Sequence, residues 1–222
     1  MDSPPTPIRP RRFRRIQEVL NRRQPDLTVV MDRVHKPHNL SAVARSCDAV
    51  GVGTIHAVPL AGKVDLHNAT SAGAAGWVEV REHPDLTVAM RDLAREGFQL
   101  VVAHLDPQAV DFRSVDYTQP TAMVVGSELV GVDSEALKGE YKTVVLPMMG
   151  MVQSLNVSVA TAVLLYEAQR QREAAGMYAQ CRLDPDTLRE LTFRWAYPRL
   201  AASLRRAGSP YPPLDAQGSI EG

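Results

Sequence analysis

The 222-residue chain predicts an α/β fold, a mostly parallel sheet flanked by helices with further helical extensions at both ends. Two observations carry that prediction. Short β-branched runs alternate with helical segments from residue 26 to residue 174. A long segment at 155–174 has helical character and is apolar over most of its circumference, which requires cover on several sides.

The elements follow in order. Residues 1–10 hold four prolines and predict a disordered start. Residues 11–24 read as an amphipathic helix, with Phe13, Ile16, Val19 and Leu20 on one stripe and Arg11, Arg14, Arg15 and Arg22 opposite. Strands are expected at 26–34, 52–60, 77–80, 99–105, 121–128 and 142–148. Between them lie a helix from near Asn39 or Ser41 to Gly51, a Gly/Ala/Ser-rich loop at 61–76, and a helix at 84–97 stopped by Gly97. One or two helices and a Pro-rich tail follow over 175–222. The expected organisation is a basic arm and helix (1–25), an α/β domain (26–174) and a C-terminal helical extension (175–222).

Composition excludes several classes. Hydrophobic residues make up 45% and charged residues 23%, ordinary for a soluble domain. No apolar run approaches the roughly eighteen residues of a membrane span, and no secretory h-region is present. Cys47 and Cys181 are isolated and read as free thiols in a reducing, cytoplasmic setting. The net charge of zero hides an asymmetry. Residues 1–36 carry nine Lys/Arg against four Asp/Glu, residues 169–206 carry eight against four, and residues 37–168 carry eight against fifteen. All the basic residues of the two ends are Arg except Lys36, and Arg is the better fork for phosphate. Solvated helix faces would give the same pattern. An Arg-rich start also suits a mitochondrial transit peptide, but the helix runs directly into the fold.

Three loops that follow predicted strands are the candidates for chemistry. HKPHNLSAVARSCDAVG (35–51) offers Asn39 and Arg45, which are six apart and share no face of a simple helix unless Asn39 sits in the loop or cap. GSELVGV (126–132) places Ser127 and Glu128 between glycines just past a strand end, where Gly126 would let a ligand come close to the backbone. LPMMGMVQSLNVSVATAVLLYEAQRQR (146–172) joins a Met- and Gly-rich loop to the apolar helix. Methionine suits an adaptable pocket wall. Each segment alone also has a structural explanation as a cap, a turn or a core helix. Gly51 and Gly53 mimic a dinucleotide fingerprint, but position 56 is His56 and the glycines precede a strand. The six histidines show no metal-ligand spacing, so no metal is expected.

Together these segments, with RRQPDLTVVMDRV (22–34) and AVDFRSVDYTQPT (109–121), resemble the signature motifs of the SpoU branch of the SPOUT methyltransferases. The resemblance is strongest to the tRNA (guanosine-2′-O)-methyltransferases of the TrmH type. It implies S-adenosylmethionine as cofactor, tRNA as partner, an obligate homodimer and a C-terminal trefoil knot. It implies cofactor contacts near Ala103, Gly126, Leu146, Met151 and Leu155, with Arg45 as catalytic residue supported by Asn39, Glu128, Ser154 and Asn156. Arg170 matches a family arginine that contacts RNA or stabilises the active site. Arg11, Arg12, Arg15, Arg23 and Arg172 join it as expected RNA contacts on charge grounds. The reaction implied is 2′-O-methylation of a D-loop guanosine, guanosine 18. A ribosomal RNA methyltransferase and a non-catalytic RNA-binding protein are the alternatives. An NAD-linked oxidoreductase is disfavoured by the failed glycine pattern.

Overall fold

In the computed structural model, which describes residues 7–60, 76–127, 131–137 and 139–221, the strand–helix alternation becomes a seven-stranded sheet. The strands are β1 (Leu27–Asp32), β2 (Thr54–Val58), β3 (Glu79–Glu82), β4 (Gln99–Ala103), β5 (Val110–Asp111), β6 (Thr121–Gly126) and β7 (Lys142–Val145). Their spatial order is β3-β2-β1-β6-β4-β7-β5, and every pairing is parallel. β5 is too short to show in a sequence pattern. The Gly/Ala/Ser-rich loop expected at 61–76 lies, apart from its last residue, outside the described residues.

Because successive strand residues face opposite ways, β1 feeds two cores. Val29 and Met31 pack with Leu40 and Val43 of α2 (Pro37–Ala49) and with Leu164 and Leu165 of α4 (Val157–Ala174). Val30 faces the other way, toward Leu86, Met90 and Leu93 of α3 (Leu86–Arg95). All six β1 residues are buried. Each fully buried Val, Leu or Met contributes about 1.5–3 kcal/mol relative to exposure. The helix ends follow local rules. Pro37 opens α2 in the first turn, where its missing N–H costs nothing. The Asp85 carboxylate caps α3 by accepting from Val88 N at 2.8 Å. Gly97, at φ 88°, ends it.

Arg172 is the largest departure from the sequence reading. It is fully buried rather than turned to RNA. Its Nε donates to Tyr117 O at 2.8 Å, Nη1 to Gln24 Oε1 at 3.1 Å and Asp26 Oδ1 at 2.6 Å, and Nη2 to Asp26 O at 3.1 Å and Gln119 O at 3.0 Å. All five guanidinium donors are used, which is the condition for keeping such a charge inside.

The chain divides into two compact units, Gln24–Met177 and a second made from residues 1–23 with 178–222. The two extensions expected as separate segments thus belong to one unit. In it α1 (Pro10–Leu20) buries Phe13, Ile16 and Leu20 and packs on α5 (Pro185–Ala196), which leads to α6 (Pro198–Arg206). The Pro-rich tail is built into the same core. Tyr211, Leu214 and Ile220 pack with Phe193 and Tyr197, and Tyr197 Oη donates to Gly218 O at 2.8 Å. Gly218, at φ 86°, sits so close that a Cβ would be 2.5 Å from the Phe13 ring. Arg23 is also buried, with its guanidinium 5.1 Å over the Trp195 ring, so it is a packing residue rather than an RNA contact.

On β2, His56 is buried and its Nδ1 lies 2.7 Å from His83 Nε2. Burial, reinforced by the neighbouring charges of His83 and Arg81, pulls the His56 pKa from 6.5 down to about 4. The unfolded chain therefore takes up this proton first. The stabilising contribution is intact above about pH 6.5 and is lost progressively as pH falls toward about 4. Urea midpoints measured from about pH 7.5 to 4.5 should fall over this window, and His56→Leu should flatten the fall. Identical profiles for the two proteins would show that this histidine does not couple to stability.

Candidate active site

A cavity of about 380 Å³ opens at the carboxyl ends of β4, β6 and β7. Ala103 and Gly126 supply strand ends, Leu146 follows β7, and Ser154 and Leu155 close the side next to α4. Four of the five residues expected to hold a cofactor therefore share one cavity. Met151 does not. It is 99% exposed and lies outside the lining, in a loop whose Met149 and Val152 are exposed as well. The walls are mostly apolar, including Val125, Val144 and Val157, and no carboxylate, Lys or Arg is among the described lining residues. Such a lining, with backbone groups at three strand ends, suits a small organic ligand.

Gly126 is needed for a different reason from the one its sequence suggests. A Cβ there would lie 2.0 Å from Gly131 C and 2.2 Å from Val132 N. The backbone that comes close is the chain's own 131–132 segment. Ser127 and Gly131 form an antiparallel bridge at this point, with Gly131 N donating to Ser127 O at 2.9 Å.

Beside the cavity, Asn156 joins two helices. Its Oδ1 caps α4, accepting from Ser158 N at 2.8 Å and Ser158 Oγ at 2.6 Å. Its Nδ2 donates to Asn39 Oδ1 at 3.2 Å. Asn39 is buried in the first turn of α2, not at its cap, because Pro37 starts the helix two residues earlier. Arg45 is on the exposed part of α2, about 9 Å further along the helix axis. The structure thus brings Asn39 and Asn156 into contact and puts Ser154 on the cavity wall. Glu128 lies outside the described residues.

The arginines sort by exposure. Arg11, Arg12 and Arg15 are exposed on α1, and Arg15 is 3.4 Å from Glu18. Arg170 is exposed and holds Glu167 with two bonds, at 2.8 and 2.9 Å. That hydrogen bonding keeps the Glu167 carboxyl below its ordinary range. Arg23 and Arg172 are removed from any RNA surface by burial.

Residues 26–166 match the SpoU rRNA Methylase family, and residues 170–222 match the SpoU rRNA methylase C-terminal family. This chain belongs to the SpoU methylase family. Among curated relatives, a tRNA (guanosine(18)-2′-O)-methyltransferase of Escherichia coli K12 is 47% identical, over 96% of this chain and 94% of its own. A protein of the same name from Thermus thermophilus is 55% identical, over 83% of this chain and 95% of its own. In three dimensions this SpoU methylase resembles the A. aeolicus TrmH/SpoU tRNA modifying enzyme (TM-score 0.79, 43% identity, 85% of this chain and 96% of the other). It also resembles the SpoU methyltransferase AviRb from Streptomyces viridochromogenes in complex with AdoMet (TM-score 0.59, 29% identity, 68% and 60%).

Sequence reasoning missed part of the SpoU methylase cavity. His104, Leu105 and Gln153 line it and are not among the expected site residues. For His104 a signal exists, since it directly follows Ala103 at a strand end. Gln153 lies inside the 146–172 segment beside Ser154, but only the folded loop brings it to the cavity. The close packing at Gly126 gives a direct test. Gly126→Ala meets rigid backbone and should destabilise by about 1–3 kcal/mol, a fall of roughly 2–12 °C in thermal midpoint. Calorimetry showing an unchanged midpoint would mean that the 131–132 segment yields freely.

Proposed function

We propose that this chain is an S-adenosylmethionine-dependent tRNA (guanosine-18) 2′-O-methyltransferase of the cytoplasm. Relatives bearing that activity in their names match it at 47–55% identity over most of both chains. That observation carries the reading, and the apolar cavity at the strand ends is its structural counterpart. The solved ribosomal RNA methyltransferase of Sinorhizobium meliloti and AviRb are less similar, at 27–30% identity.

Ala103, Gly126, Leu146 and Leu155 would hold the cofactor in the cavity. S-adenosylmethionine supplies an electrophilic methyl group on a sulfonium. The role of Arg45 is to orient an RNA phosphate beside the ribose and to stabilise the oxyanion that develops at the 2′-oxygen. The Asn39–Asn156 bond holds the starts of α2 and α4 together, so that Arg45 is carried on a fixed helix beside the cavity. Ser154 and Glu128 complete the set of supporting residues. Arg11, Arg12, Arg15 and Arg170 form the RNA-contacting charge.

The assembly belongs to the same reading. The outer face of α4 exposes Val159, Val163 and Tyr166 at helical spacing, continued by Leu155 and Val152. A homodimer that covers this stripe explains why the helix is apolar on a face its own sheet leaves bare. The segment beyond β7 is proposed to thread a trefoil knot. The insertion of β7 between β4 and β5 supports this, since the following chain must leave from within the sheet edge.

Incubation with tRNA and labelled cofactor should place label in an alkali-resistant dinucleotide, because the 2′-hydroxyl is blocked. Label on a base would end the reading. Arg45→Ala should lower kcat and kcat/KM together, by about a hundredfold or more. A variant with normal kcat and a raised KM would reduce Arg45 to a binding residue. Val163→Glu introduces a charge that a lone chain could expose to water, since Val163 is 37% exposed. In a dimer it should dissociate the subunits. Sedimentation of the wild type as a stable monomer at micromolar concentration would remove the dimer.

A further inference from the structure

Asp32 ends β1 as a buried carboxylate, 1% exposed, on the strand next to β6. Nothing in its position requires a charge for packing, since the rest of β1 is apolar apart from Thr28. Its Oδ2 accepts from Asp133 N at 2.9 Å and from Arg33 Nη2 at 3.2 Å. Arg33 Nη1 in turn lies 3.5 Å from Asp133 Oδ2. Arg33 takes φ 54°, a left-handed conformation uncommon for a side-chain-bearing residue, with its N–H bonded to Val58 O at 2.9 Å. Backbone and side chain of one arginine are thus committed to holding this corner.

Asp133 immediately follows the Gly131–Val132 segment that lies on Gly126. Gly131 and Gly126 both line the cavity. From these contacts we infer that Asp32 is a positioning residue for the cofactor: by anchoring the Asp133 backbone N–H, it presses the 131–132 segment onto Gly126 and fixes one wall of the pocket. The inference rests on the cavity being the S-adenosylmethionine site. Arg33 orients the carboxylate and joins it to the Asp133 side chain.

The test separates the anchor from general stability. Asp32→Asn keeps an oxygen for the Asp133 N–H, whereas Asp32→Leu, of similar size, removes it. Asp133→Pro removes the donor from the other side, at a φ of −64° that proline adopts. Asp133→Ala keeps the donor. Calorimetric titration with S-adenosylmethionine should show Asp32→Leu and Asp133→Pro weakened about tenfold or more, the scale of one buried group left without its partner. Asp32→Asn and Asp133→Ala should retain affinity within about threefold by the same reasoning. In methylation assays the weakened variants should show a raised KM for S-adenosylmethionine, an unchanged KM for tRNA and a recovered kcat at saturation. If Asp32→Leu does not fold, Asp133→Pro decides. Wild-type affinity in Asp133→Pro, or equal loss in Asp133→Ala, overturns the proposal. A wild-type protein that binds no S-adenosylmethionine overturns the reading of the cavity, and this proposal falls with it.

Discussion

The guanidinium of Arg172 sits at the amino-end side of the sheet, where β1 and β6 begin, and closes the fold there. Its acceptors are Gln24 and Asp26 just before β1, and the carbonyls of Tyr117 and Gln119 just before β6. Asp26 O also accepts from Thr121 N at 2.9 Å. One charge from the last turn of α4 thus ties the entry points of the two central strands to the helix that covers them. A buried ion is tolerated when it is paired and its donors are satisfied, and removing the Asp26 carboxylate would leave the Arg172 charge uncompensated. The arrangement fixes the register of β1 against β6, from Leu27 opposite Thr121 to Asp32 opposite Gly126.

That register decides the other end of the sheet. With β1 and β6 aligned along their length, Asp32 and Gly126 finish side by side. The cavity lies beside this edge, at the ends of β4, β6 and β7, where a parallel sheet leaves backbone groups and a crevice. The closing contact is made by the chain itself, since residues 131–132 occupy the space a Cβ on Gly126 would need. α4 serves both ends. Its first turn, capped by Asn156, meets Asn39 of α2, and its last turn carries Arg172.

The helix that organises the inside also presents an unusual outside. Val157, Thr161, Leu164, Leu165 and Ala168 are buried, while Val159, Val163 and Tyr166 are exposed on the opposite stripe. The Thr161 hydroxyl satisfies itself by donating to Val157 O at 2.7 Å, so the inner face remains apolar in effect. In the other unit, α1 divides in the opposite way, with Phe13, Ile16 and Leu20 inside and its arginines in water. The two units therefore offer surfaces of contrasting chemistry, one apolar and one basic.

Much of this was legible in the sequence because it rests on local periodicity and local stereochemistry. The β-branched runs became strands within a few residues of their expected limits, Gly97 ended α3, and the amphipathic stripe of α1 was buried as its spacing required. The motif residues Ala103, Gly126, Leu146, Ser154 and Leu155 came to one cavity because strand ends and the loops after them are fixed by the parallel topology. What the sequence left open depends on which side chains meet across long separations. Charge alone made Arg23 and Arg172 surface residues, and only the folded chain supplied Trp195 and the carbonyls that take them inside. The same holds for Asn39, whose partner is 117 residues away, and for the union of the two termini in one unit. Periodicity reports which way a side chain faces, and tertiary packing alone decides whether it meets water or a partner.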